Sequence, residues 1–347
     1  MKKTTTHYSP SEYHNHLMAN LKQEMAFNGK DADKWKRSLQ KKLKQLMGYD
    51  YGKKRVPLKV KSLWMQEHAL GTIEKIVFTS ELYSEVCAYI CIPKKAKPPY
   101  TFMVCLQGHS TGMHNSIGVD INDETKKIKV EGDRDFGLGC MRNGVAAICI
   151  EQRSFGERKE KKQKAVSNHG CHDAVMHSLM LGKTLCAERV YDVDRAIDYL
   201  YTRKDVDRKM IGVMGNSGGG TISLFASAIL PRIRFAMPSC YFNSFKDSIM
   251  SLYHCGDNYI PGLLNYAEMS DIMGLFAPKP VVIVAGEKDP IFPVKATRKA
   301  FKDLKKIYQH HGVANQCHLV IGKGGHRFYE KLAWPKMVKL IKSLKNT

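Results

Sequence analysis

Residues 211–230, IGVMGNSGGGTISLFASAIL, constrain this chain more than any other stretch. They read as a short apolar strand (Ile211 to Met214), a glycine-flanked serine, and an apolar helix. The centre, Gly215-Asn216-Ser217-Gly218-Gly219, fits G-x-S-x-G in a strand–turn–helix context. Such a turn must be sharp enough to lift one hydroxyl above the edge of a sheet. Glycines two places before and after the serine let neighbouring backbone pass without a Cβ clash. The helix that follows aims its N-terminal N–H groups and dipole at the hydroxyl, where negative charge develops during acyl transfer. An ordinary glycine-rich βα turn would share the spacing. The strand before and the small-residue helix after favour Ser217 as a nucleophile.

A serine hydroxyl is a weak nucleophile at neutral pH and needs a base, usually a histidine oriented by a carboxylate. With this kind of turn the acid and then the base follow the serine in the chain. Residues 281–285, VVIVA, form an uncharged run suited to a buried parallel strand. GEKDPIFP follows and places Asp289 just past that strand. A helix is expected over Val294 to His310, then a last strand CHLVI (317–321), then the loop Gly-Lys-Gly-Gly-His326. Asp289 and His326 thus fall at the same sheet edge as Ser217. Glu287 and Asp247 are competing acids, Asp-Pro is a common turn opener, and a lone loop histidine is often only a surface residue. The order of the three residues, each just past a strand, favours the catalytic assignment.

An oxyanion needs two N–H donors. One is expected from Gly218, the residue after the nucleophile. The other is expected from the loop after strand 101–106, at the His109 backbone N–H in Gln107-Gly108-His109.

These residues resemble the α/β-hydrolase superfamily. The resemblance is strongest to its bacterial dienelactone-hydrolase-like and acetyl-xylan-esterase-like branch, from about residue 70 onward. Besides the serine turn it rests on CLQGHSTG, GDRDFGLGCMRNGVAAICIEQRSFGER (132–158) and GEKDPIFP. The resemblance implies an eight-stranded, mostly parallel sheet flanked by helices, esterase-type chemistry, and no required metal or cofactor. Within it, Glu151-Gln-Arg-Ser-Phe-Gly-Glu-Arg158 is similar to a D-Q-R-G-x-G-x-R loop, with Ser154 where such loops often carry glycine. Related esterases that act on glucuronate esters carry an arginine beside the serine, where this chain has Gly219.

The hydrophobic share of 43% and charged share of 25% suit a globular protein. No apolar run approaches the roughly 18 residues of a membrane span. The start, MKKTTTHYSPSEYHNH, lacks the apolar stretch of a secretory signal, which favours a cytoplasmic protein. Cys87, Cys91, Cys105 and Cys149 fall in expected strands and Cys186 in an expected helix, which suits reduced, buried thiols. His169-Gly-Cys171-His172, with His177 beyond, lacks a second element of zinc spacing, so no metal is expected. The net charge of +22 is spread at helix-surface spacing, with no nucleic-acid-binding signature. It reads as a solvated lysine-rich surface, with no nucleic-acid or membrane partner.

The first 55 residues form a separate helical extension in this reading, followed by a catalytic domain over 56–347. Ser9-Pro10-Ser11-Glu12 has capping-box form with proline at the first helical position, and Leu17, Leu21 and Met25 would make one apolar face. A second helix should follow Asp31 or Asp33, carry Trp35, Leu39, Leu43 and Leu46 on one face, and stop at Gly48. These faces would pack on the main domain or on a second copy in a homo-oligomer. Strands are expected near 73–79, 86–92, 101–106 and 145–150, helices near 133–142 and over 172–202 (one long or two), and a strand at 235–239. The lysine-rich 157–164 reads as an exposed loop. Residues 241–277 hold many aromatics and read as a cap over the sheet edge where ligands bind, with Tyr253 and Tyr259 lining the pocket.

The reading is a serine hydrolase of small carboxylic esters, acetylated carbohydrate among them. A prolyl-oligopeptidase-like peptidase shares the order of the triad but needs room for a propeller that this chain lacks. A catalytically silent member of the fold, acting as a binding protein, would not need the complete Ser-Asp-His set.

Overall fold

A computed structural model describes residues 7–52, 55–160 and 170–345. Three strands open one sheet as an antiparallel meander: β1 (Lys61–His68), β2 (Gly71–Glu81) and β3 (Ser84–Pro93). The others are β4 (Tyr100–Leu106), β5 (Ala146–Ile150), β6 (Val206–Asn216), β7 (Phe235–Ser239), β8 (Val281–Gly286) and β9 (Cys317–Gly322). β3 pairs antiparallel with β5, and from β5 onward every pairing is parallel. The order is β1-β2-β3-β5-β4-β6-β7-β8-β9, nine strands in all.

Each of the eight expected strands is present, and the ninth is β1. It lies at the sheet edge with mostly exposed residues, so KSLWMQEH carries no alternation that would mark a strand. The central strands β4, β5, β7 and β8 are buried almost throughout, as parallel strands covered on both faces must be.

The helices are α1 (Pro10–Asn20), α2 (Ala32–Met47), α3 (Phe136–Arg142), α4 (His172–Met180), α5 (Leu185–Thr202), α6 (Gly218–Ile229), α7 (Met269–Gly274), α8 (Val294–His310) and α9 (Glu330–Lys345). Strand side chains alternate between two core layers. Phe102, Val104 and Leu106 point to the layer built with α2, α5, α6, α7 and α8, while Met103 and Cys105 point to the layer built with α3 and α9.

The second N-terminal helix forms as expected. Asp31 caps α2 by accepting from Lys34 N at 3.0 Å, and Gly48 ends it in the left-handed conformation. Leu39, Leu43 and Met47, one turn apart, are buried in the main core. α1 differs from expectation. Ser9 is its N-cap and Pro10 its first residue, but no side-chain cap bond forms and no residue of the helix is buried. The helix stops at Asn20, so Leu21 and Met25 do not continue its face. The segment 172–202 is two helices, with Thr184 capping the second through Ala187 N at 3.1 Å. Half of the expected loop 157–164 lies outside the described residues. Among the described residues no helix is long and apolar enough to cross a membrane.

Candidate active site

β6 ends at Asn216 and α6 begins at Gly218, so the whole reversal falls on Ser217. Ser217 takes φ 58 and ψ −123, a conformation that a side chain resists and the surroundings must hold. They do so through β7: Ser217 N donates to Ser239 O at 3.0 Å, and Ser239 Oγ donates to Asn216 Oδ1 at 2.7 Å. A Cβ on Gly219 would lie 2.0 Å from the Leu106 carbonyl oxygen, so helix and sheet meet there at backbone distance. No larger residue fits at 219.

Asp289 sits past β8 with its side chain buried, and its two oxygens divide their work. Oδ1 accepts from Ile291 N at 3.0 Å and Phe292 N at 3.1 Å. Oδ2 accepts from His326 Nδ1 at 2.8 Å. The histidine loop is sewn to the acid loop by Lys288 N donating to Gly324 O at 2.9 Å. The two competing acids, Glu287 and Asp247, are both exposed.

Ser217, Gly218 and His109 line a cavity of about 240 Å³ together with Tyr253, His254 and Phe292. The Phe292 ring also stacks on His326, 5.8 Å between centroids. Gly108 passes against the serine turn, where an added Cβ would lie 3.0 Å from Ser217 Cβ. Among the described residues no group accepts from the His109 backbone N–H. Gly218 opens α6, where the first N–H groups have no intrahelical acceptor. Tyr259 is not brought to this cavity. Its hydroxyl donates to Ile249 O at 2.7 Å and ties the 241–277 segment to itself. Much of that segment is core: Tyr241, Phe242, Phe245, Ile260 and Leu263 are buried.

Several site residues escaped the sequence reading. His254 lines the cavity, shares a hydrogen bond with Ser248 Oγ at 3.0 Å, and has its pKa lowered by burial and by nearby His109 and His326. Asp257 is buried beneath His109, whose Nε2 lies 2.9 Å from its Oδ2. Burial works to raise the Asp257 pKa, but the charges of His109 and Arg189 hold it below the carboxylate range. The structure joins Cys171 to Cys255 as a disulfide, while the other eight cysteines are buried and free. The stretch His169-Gly-Cys171-His172, with His177 beyond, is only partly described. His172 and His177 are exposed, and His169 lies outside the described residues. The signal that could have been read is His254-Cys255-Gly256-Asp257, three ligand-type side chains in four positions.

The loop after β5 supports this edge from below. Arg153 and Arg158 both pair with the buried Asp192, and Ser154 has φ 69, which explains why glycine is common at that place. Burial pushes the Glu151 carboxyl up to about 7, against two backbone N–H donors, Met113 and Glu157. A raised carboxyl favours the fold most below its unfolded value of 4.5, and that contribution is lost as pH rises towards 7. Glu151→Gln cannot ionise. Its melting temperature relative to the parent should therefore climb from pH 4.5 to 7 and level off above, over a span of about 3 kcal/mol. Parallel melting curves across that window would show that Glu151 is already ionised in the fold.

An abhydrolase family model matches residues 14–317 of the chain. YtaP of Bacillus subtilis (strain 168), named as a hydrolase, is 26% identical over 275 residues, 78% of this chain and 88% of its own length. A structure from Bacteroides fragilis NCTC 9343, named as an acetyl xylan esterase, superposes with a TM-score of 0.74 at 15% identity, over 93% of this chain and 84% of that one. A glucuronoyl esterase from Solibacter usitatus does so with a TM-score of 0.67 at 15% identity, over 94% and 99%. At such identities the two structures share the fold.

Proposed function

The chain belongs to the abhydrolase family, and on that footing we propose that it is a serine esterase acting through Ser217, His326 and Asp289. The observation that carries the reading is one connected arrangement. Ser217, on its strained turn, shares a cavity wall with Phe292, which stacks on a histidine anchored by Asp289.

A carboxylate can only accept, so Nδ1 of His326 carries the proton and Nε2 is left free as the base. Ser217 Oγ attacks the ester carbonyl while Nε2 takes its proton. The oxyanion is held by the Gly218 and His109 N–H groups. His326 then protonates the departing alcohol, leaving an acyl group on Ser217. Water, deprotonated by His326, releases the acid, and the serine recovers its proton.

The cavity of about 240 Å³ lies at the small end for ligand pockets, which favours acetyl-sized groups. The names of the structural relatives support carbohydrate esters as substrates. In this reading residues 1–55 are an extension seated on the core through α2, and 241–277 form the wall over the site.

Tyr253 is 73% exposed at the cavity rim, so trimming it should cost little stability. Tyr253→Ala should shift hydrolysis towards longer acyl chains, with a melting temperature close to the parent. Tyr259→Ala should leave the chain-length profile parallel to wild type. An aryl-ester series from acetate to octanoate reads both. No turnover of any member would sink the esterase reading, and a parallel Tyr253→Ala profile would remove the tyrosine from the acyl pocket.

A further inference from the structure

We propose that His109, Cys171, Cys255 and Asp257, with the two cysteines reduced, form a closed binding site for a thiophilic divalent ion, zinc above all. Their four ligand atoms all lie within 4.8 Å of one another. A tetrahedral zinc with bonds of about 2.0 to 2.3 Å spaces its ligand atoms roughly 3 to 4 Å apart. Two of the separations suit this, 2.9 Å from His109 Nε2 to Asp257 Oδ2 and 3.9 Å from Cys171 Sγ to the same oxygen, while the two sulfurs, joined as a disulfide in the structure, must part to take their places. Two sulfurs, one imidazole and one carboxylate select zinc over calcium or magnesium, which take oxygen ligands.

The surroundings fit an ion as well as the ligands do. Two thiolates and a carboxylate carry three negative charges, which zinc and the buried Arg189 beside Asp257 together neutralise. The carboxylate is further held by Asn258 Nδ2 at 2.9 Å, and Arg189 is fixed by two bonds to the Arg153 carbonyl, at 3.0 and 2.8 Å. Such outer partners orient metal ligands. Cys171, Cys255 and Asp257 are buried and His109 is half-buried, so four protein ligands close the site. That is the arrangement of a structural zinc rather than a catalytic one.

A disulfide employs only two of these four groups. A dithiol reductant would break the S–S bond by supplying two electrons and two protons, giving two thiols and its own disulfide. Zinc then binds with release of the two thiol protons. The ion would clamp the loop after β4 to the N-terminus of α4 and to the 241–277 wall. Bound through Nε2, His109 keeps its proton on Nδ1, the nitrogen nearest Gly218.

The test is metal content, which is read independently of ester turnover. The full chain is expressed with zinc in the medium and purified with reductant and without chelator. Elemental analysis should find about one zinc per chain. Cobalt exchanged into the site should show tetrahedral d–d bands and thiolate-to-cobalt charge transfer. Cys171→Ser and Cys255→Ser should each lose the zinc, and Ser217→Ala should keep it. If the serine variants do not fold, the cobalt spectrum of the wild type decides, because only thiolate ligation gives the charge-transfer band. Zinc at background level, with the two cysteines found as free thiols or as a persistent disulfide, would overturn the proposal.

Discussion

Ser217→Ala is expected to lower kcat for ester hydrolysis by about 10⁴-fold or more, the scale of losing a triad member. The fold should survive. Ser217 is half-buried, its side chain makes no hydrogen bond among the described residues, and its backbone N–H to Ser239 O is unaffected by removing one oxygen. Alanine accepts φ 58 no better than serine does, so the strain of the turn is unchanged and only the nucleophile is lost. Circular dichroism and melting should match the parent. A variant retaining about a tenth or more of the wild-type kcat would remove Ser217 from the chemistry.

Asp289→Asn should cost nearly as much, about 10⁴-fold in kcat, and its cause lies in a tautomer. Ile291 N and Phe292 N both need the acceptor they find in Oδ1. An asparagine must turn its oxygen to those two donors, which presents its NH₂ to His326 Nδ1. That nitrogen must then accept, the ring proton moves to Nε2, and the base proposed for Ser217 is gone. KM should change little, because Asp289 is buried behind the histidine. A loss under about tenfold would mean that His326 is oriented by something else.

The parallel half of the sheet was legible because a strand covered on both faces must be a continuous apolar run, as VVIVA is, and because CHLVI, though it forms the partly exposed edge strand β9, is still mostly apolar. Ser217, Asp289 and His326 followed from it, since each stands in the first loop after such a run. β1 was hidden because an edge strand with exposed faces has no pattern to read. The capping-box spacing at Ser9 was present without the bond, because an exposed helix end can be hydrated by water instead. The His109–Cys171–Cys255–Asp257 cluster was legible only in its Cys255–Asp257 part, for a different reason. Its members come from three separate segments, and a metal-spacing rule reads only neighbours in the chain. Tyr259 looked like Tyr253 in sequence, and only the path of the backbone sends its hydroxyl to Ile249 rather than to the cavity.

The central claim is that Ser217 is a nucleophile activated at this edge of the sheet. A fluorophosphonate probe tests it most directly, because it bonds covalently only to an activated serine, followed by intact-mass and peptide-mass analysis. A single adduct is expected, mapped to the peptide containing Ser217, absent from Ser217→Ala and strongly slowed in Asp289→Asn. An unlabelled wild-type protein, or an adduct that persists in Ser217→Ala, would contradict it.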